Sequence, residues 1–345
     1  MALGIVWGFG GCPGMGQWGV ARAISFIDCQ AKPAIAGRMI HLRQLVALIA
    51  ALLGSLALAS PAQQRHPTPI AVEAVAATPV LRPALWKVSD ADTTIYLFGT
   101  IHALPKDVEW FDGTIANALE SSGELVTEIP SMDATQLQSG VMQLAVLPQG
   151  QSLRALLSPE QKIAFEAAMI RYSLPVEAFD RYKPWYAAVA LSALPLLRDG
   201  FATENGVEAA LDERAKALGR SHTGLETIEY QLGLFDALPQ ATQVTYLNEV
   251  VEALPTLREE LGIIVTEWGQ GNAEKLAELM NAEEDDPAML DALLTNRNRN
   301  WARWIKARMG QPGVVFMAVG AGHLAGRGSV QDQLSAQGIA TTRVQ

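Results

Sequence analysis

Two apolar runs of strand length lie far apart in this chain, and each ends in the same pattern, Gly-x-x-His. The first, Thr93 to Phe98, runs into Gly99-Thr100-Ile101-His102. The second, the segment VVFMAV flanked by glycines, runs into Gly320-Ala321-Gly322-His323. A short continuous apolar run bounded by turn residues suits a strand buried on both faces. Glycine at the strand end lets the backbone turn sharply and lets another group come close. In an open sheet, ligands bind beyond the carboxyl ends of the strands. If both runs join one sheet, the two histidines face one crevice despite the distance between them in sequence.

The segments between these runs show where such a sheet comes from. Ala84 to Val88 and Thr93 to Phe98, joined by Ser89-Asp90-Ala91-Asp92, read as a hairpin. Asp112 is placed to cap a helix that reaches Ser121, and Glu124 to Ile129 reads as a strand stopped by Pro130. From residue 133 to about 310 the periodicity is mostly helical. Ser158-Pro159-Glu160 and Lys183-Pro184-Trp185 each open a helix. Glu204 to Leu218 reads as a helix stopped at Gly219, followed by a short strand over His222 to Glu226. Ala288 to Met309 reads as one long amphipathic helix, and the end of the chain as a helix over Val330 to Gln337 and a strand over Ile339 to Val344. The expected fold is α/β of the α+β type. It is a single domain over residues 84–345, with a central sheet built from both ends and a large helical insertion.

The N-terminal part reads as addressing rather than fold. Residues 40–62 combine Arg43, an apolar run from Leu45 to Ala59 and the small-x-small pattern Ala57-Leu58-Ala59, the order of a secretory signal peptide. The run falls short of the roughly 20 residues that span a bilayer, although an uncleaved anchor remains an alternative. Residues 1–38 are Gly-rich without a clear period and precede Met39, so they read as a non-native extension with Met39 as the start. Residues 63–83 read as a Pro- and Ala-rich linker. The expected location is outside the cytoplasm, periplasmic or secreted, with membrane contact only through the signal peptide or anchor. Cys12 and Cys29 both precede the apolar run, so the exported part holds no disulfide, no cysteine nucleophile and no thiolate metal site. The formal net charge is −10, and no stripe of Lys and Arg is present to track phosphates, which argues against a nucleic-acid partner.

His102, Glu128 and His323 all sit at the ends of strand-like runs, and two imidazoles with one carboxylate suit a divalent ion such as Zn, Mn, Co or Fe. Water bound to such an ion is acidified and can attack a carbonyl, with a second carboxylate, Glu208 or Glu226, as general base. Read singly, each histidine is equally a satisfied, partly buried side chain, and each of these two glutamates a helix cap or a surface charge. No His-Glu-x-x-His or Gly-x-Ser-x-Gly pattern is present.

The segment from Ala84 to Pro130, with its Trp-bearing strand, its strand ending in Gly-Thr-x-His and its strand ending in Glu, resembles the opening of TraB/GumN (Tiki-like) proteins. Gly206-Val207-Glu208 resembles a middle motif that usually carries Asp where Glu208 stands. Gly224-Leu225-Glu226-Thr227 with Gln231, Arg297-Asn298 with Trp301-Ala302, and Val319 to Leu324 resemble three further motifs in the same order. The resemblance implies a metal-dependent hydrolase, most readily a peptidase, acting on a peptide or small-molecule substrate. His102, Glu128 and His323 would be its ligands. Arg297 and Asn298 would line the site as oxyanion or ligand-orienting donors. Because Arg299-Asn300 repeats that pair, a solvated helix face is an equal alternative for Arg297 and Asn298. Trp301 and Trp304 read as core-packing residues. An esterase-like hydrolase is a further reading, as is a non-catalytic protein that binds peptide or assists polysaccharide export.

Overall fold

A computed structural model describes residues 81–345, apart from 107, 131–133, 199 and 282–286. The extension over residues 1–38, the signal-like segment and nearly all of the linker lie outside the described residues. The main sheet has six strands: β1 (Leu85–Ser89), β2 (Thr93–Thr100), β4 (Glu124–Thr127), β6 (Ser221–Gly224), β7 (Gly313–Gly320) and β8 (Thr342–Arg343). Their order across the sheet is β6-β4-β7-β2-β1-β8. A separate two-stranded ladder joins β3 (Leu104–Pro105) to β5 (Phe201–Ala202).

Local sequence explains the central strands. Along β2, Ile95 and Leu97 enter one buried cluster while Phe98 enters the other. Along β7, Val315, Met317 and Val319 alternate in the same way with Phe316 and Ala318. Side chains of a strand alternate between faces, so a run that is apolar at every position needs cover on both sides. The larger cover comes from the helical insertion, including Trp185, Phe235, Leu261 and Trp268. The smaller comes from Trp301, Ala302 and Ile305 with Val330 and Leu334.

β1 and β2 pair antiparallel with Trp86 opposite Leu97, as the hairpin reading expects. β2 and β7 pair in parallel from Thr93↔Gly313 to Thr100↔Gly320. β4 pairs in parallel with β7 and also with β6. Four neighbouring strands, β6, β4, β7 and β2, therefore share a direction and end at one edge of the sheet. That common edge carries the site.

Several expected boundaries shift. Asp112 caps Gly113–Ser121 by accepting from Thr114 N and Ile115 N, and Ser158 forms a full capping box with Gln161 at the start of Pro159–Arg171. The helix expected over Glu204 to Leu218 is instead a short 3-10 turn, Thr203–Asn205, and then Val207–Ala217. Gly206 divides them with extended backbone (φ −64°, ψ 158°), and a Cβ there would lie 2.0 Å from the carbonyl oxygen of His102. The long helix expected from Ala288 to Met309 contains a π turn, Asp291–Thr295, ahead of Asn296–Arg308. Such turns often occur at functional sites. The last strand is only Thr342–Arg343, which pairs with Lys87 and Trp86 of β1.

Candidate functional site

Reading across the sheet edge, Glu226 lies two residues beyond β6, Glu128 one beyond β4, His323 three beyond β7 and His102 two beyond β2. The sheet continues slightly past β4 and β6, since Leu225 N donates to Thr127 O and Glu226 N to Glu128 O (2.9 and 2.7 Å). Gly224 permits this approach, because a Cβ there would lie 2.3 Å from Pro130 Cδ.

The centre of the arrangement is Arg297, whose side chain is fully buried. Its Nη2 donates to Glu128 Oε2 at 2.6 Å and to Glu226 Oε2 at 2.8 Å. Its Nε donates to Glu226 Oε1 at 3.0 Å. Nη1 donates to Leu293 O within the π turn and to His323 Nε2, both at 3.1 Å. Gln231 Nε2 bridges the same two carboxylates, at 3.0 Å from Glu128 and 2.9 Å from Glu226. Gly320 N donates to Glu128 Oε1 at 2.8 Å, and Trp301 Nε1 to Glu226 Oε1 at 2.9 Å. Arg297 and Asn298 do not lie on a solvated helix face: both side chains are buried, while Arg299 and Asn300 are exposed.

His323 is held at both nitrogens. Nδ1 faces Asn298 Oδ1 at 2.6 Å, so it carries the proton, and Nε2 accepts from Arg297. Asn298 Nδ2 donates to Gly328 O at 2.8 Å, which fixes the orientation of the amide. Trp301 covers the imidazole, with ring centroids 4.4 Å apart. Burial and then the neighbouring Arg297 charge push the pKa of His323 down to about 3. Burial alone would raise that of Glu128, but the charges of Arg297, His323 and His102 and the Gly320 N–H bring it down to about 2.

Both groups have a lower pKa in the fold than their ordinary values of 6.5 and 4.5, so the unfolded chain binds more protons throughout the acid range. Their stabilisation is complete above those ordinary values and is lost as pH falls towards 3 and 2. Denaturant unfolding in steps from neutral pH should show stability already falling below pH 6.5, before ordinary carboxylates titrate. A flat profile from 6.5 to 4.5 would contradict a buried neutral His323.

His102 belongs to a separate pair. Its Nδ1 edge contacts Glu208 Oε1, which also accepts from the Thr100 hydroxyl. Glu208 lies in the first turn of Val207–Ala217, and Val207 N donates to Ile101 O at 3.1 Å, tying that helix to the exit of β2. His102 Nε2 and Glu208 Oε2 are buried without a hydrogen-bond partner among the described residues. Burial disfavours a charged His102, but Glu208, through charge and hydrogen bond, and Glu128 outweigh it and raise its pKa.

Of the expected site residues, Glu128, Glu226, Arg297, Asn298 and His323 form one hydrogen-bonded network, with His102 and Glu208 beside it. Of the two roles expected for Arg297 and Asn298, oxyanion or ligand-orienting donors, the contacts here match the orienting one, because these donor groups are bonded within the protein. Asn298 orients His323. As a metal centre, the residue types fit, and in this conformation Arg297 stands among them. Arg297 occupies the Nε2 lone pair of His323 and one oxygen of Glu128. His323 Nε2 stands 3.9 Å from Glu128 Oε1, and among the described residues no three His, Cys, Asp or Glu side chains are grouped to hold an ion. Thr100, Gln231 and the Gly320 amide make contacts here that the sequence reading did not foresee. All three did stand inside the quoted motifs, which was the available signal.

A family model described as "TraB/PrgY/gumN family" matches residues 84–343. The chain is similar to the "Uncharacterized protein YbaP" of Escherichia coli (strain K12), 22% identical over 239 residues that cover 69% of this chain and 87% of that protein. The protein of the same description from Shigella flexneri is 23% identical over the same shares. No solved structure matches the chain.

Proposed function

The chain belongs to the TraB/PrgY/gumN family, and from that premise we propose that it is a hydrolase, most readily a peptidase of the cell envelope, in which His102 activates the attacking water. One observation carries the reading: among the described residues a buried imidazole nitrogen, His102 Nε2, is left without a partner while its other edge meets a carboxylate. In the neutral form of His102, with the proton on Nδ1 facing Glu208, Nε2 keeps its lone pair. It accepts a proton from water as the water oxygen bonds to a carbonyl carbon, and returns it to the leaving amine or alkoxide as the carbon–leaving-group bond breaks. Glu208 holds the tautomer and stabilises the imidazolium that forms. The Arg297 network keeps the neighbouring strand ends in register with this pair. Export by the segment over residues 40–62 is part of the proposal. Among the described residues no helix is long and apolar enough to cross a membrane.

Metal dependence, which the family resemblance implies, is the second reading. Its support is the matching orientation of the two histidines. Each has Nδ1 against a side-chain oxygen, of Glu208 or of Asn298, the arrangement that prepares Nε2 to bind a metal. His102, Glu128 and His323 would hold Zn, Mn or Co after Arg297 gave up its contacts with two of them.

The deciding experiment measures bound metal by mass spectrometry, and cleavage of peptide and ester libraries with and without a chelator, in the native protein and in His102→Asn. Cleavage that survives the chelator and is lost in His102→Asn supports the first reading. Stoichiometric metal whose removal abolishes cleavage puts the second in its place. Peptide retention without cleavage, equal in the two proteins, would make this a binding protein.

A further inference from the structure

A pocket of about 360 Å³ lies on another flank of the helix Val207–Ala217, between it and the chain that follows His102. Its lining is Val108, Glu109, Trp110, Phe111, Ala210 and Arg214. None of these residues takes part in the network at the sheet edge. Arg214 and Glu208 are six residues apart, so they diverge by roughly 120° around the helix at about 100° per residue.

The chemistry of the pocket is specific. The guanidinium carbon of Arg214 stands 4.1 Å from the centroid of the Phe111 ring. Phe111 in turn meets Trp110 edge to face, with centroids 5.5 Å apart. Stacking on an aromatic face fixes the plane of a guanidinium and leaves its N–H edge available for a planar anion. Arg214 Nη1 donates to Ala210 O at 3.2 Å, within its own helix. Among the described residues no carboxylate forms an ion pair with Arg214, although Arg154, Lys183, Lys216 and Arg297 each have one. Glu109, on the rim, is exposed. An oriented, unpaired guanidinium beside apolar and aromatic walls matches a ligand with a carboxylate on an apolar body.

We propose that this pocket binds the C-terminal residue of a peptide, with its free carboxylate on Arg214 and an apolar or aromatic side chain against Phe111 and Val108. Binding here needs neither His102 nor Glu208, so the inference stands apart from the hydrolase reading.

The test is calorimetric titration of the full protein with N-acetylphenylalanine and with its amide, repeated in Arg214→Gln and Arg214→Lys. The native protein should bind the acid roughly tenfold or more tightly than the amide, since a charge-assisted pair is lost in the amide. Arg214→Gln should bring the two ligands to equal, weak affinity. Arg214→Lys should keep part of the preference, as a point charge without the planar fork. Arg214 is partly exposed, and an unchanged thermal melt would show that each variant folds. Equal binding of acid and amide by the native protein, an undiminished preference in folded Arg214→Gln, or no binding of either ligand would overturn the proposal.

Discussion

Replacing Arg297 with Met is expected to destabilise the protein by about 3–5 kcal/mol at neutral pH, the range for removing one partner of a buried ion pair. The side chain is fully buried and its guanidinium contacts two carboxylates, one carbonyl and one imidazole. Without it, Glu128 and Glu226 share a buried space with only the Gln231 amide between them. Two carboxylates so placed cannot both stay ionised, so at least one takes a proton at neutral pH. The stability gap between native and variant should therefore narrow as pH falls towards 4.5 and below, where Glu128 of the native protein begins to lose its own advantage. Arg297→Lys should recover little, because one ammonium cannot reproduce the paired N–H contacts. Adding Glu128→Gln and Glu226→Gln to Arg297→Met should recover part of the loss, since it removes the uncompensated charge. Denaturant unfolding at several pH values measures all of these. An Arg297→Met protein as stable as the native one at neutral pH would show that the network does not hold the strand ends together.

Glu208→Gln is expected to lower kcat by roughly 10²–10⁴-fold, the range that a positioned acid–base group contributes. The substitution keeps the shape of the side chain and removes its charge. Only Glu128 then still favours the imidazolium that His102 must become, and an amide N–H turned towards Nδ1 would favour the wrong tautomer. The Glu208 side chain is 26% exposed and one of its oxygens has no partner, so the cost in stability should stay within about 1 kcal/mol. KM should change little, since the lost interaction belongs to the transition state. The signature is thus a kcat effect without a melting effect, the reverse of Arg297→Met. Unchanged kcat in a folded Glu208→Gln protein would remove the His102–Glu208 pair from the mechanism.

Much of the fold was legible because its signals are local. The hairpin is given by alternating apolar residues around Ser89-Asp90-Ala91-Asp92. The caps at Asp112 and Ser158 need only a side-chain oxygen and the backbone amides two or three residues on. The π turn at Asp291–Thr295 was not legible, since no Gly or Pro marks it. One role it has is tertiary, because it provides the Leu293 carbonyl that Arg297 Nη1 contacts. Arg297-Asn298 and Arg299-Asn300 were likewise indistinguishable in sequence. One pair is buried and the other exposed only because Glu128, Glu226 and His323 lie to one side of that helix.

The sequence by itself determined which segments become strands and that histidine or glutamate waits at their ends, because strand formation follows from apolar runs and the turn residues that bound them. Only the tertiary structure decided which of these groups meet. Parallel register between β2, β7, β4 and β6 brings four distant strand ends to one edge. A helix packed across that edge then inserts a guanidinium between Glu128 and Glu226, 169 and 71 residues away in sequence. The two glutamates considered as bases separate for the same reason. Glu226 is bound to that cation, whereas Glu208 stands one helix away beside a histidine whose second nitrogen has no partner among the described residues. Charge pairing of this kind acts over a few ångströms of space, and the spacing of residues along the chain carries no trace of it.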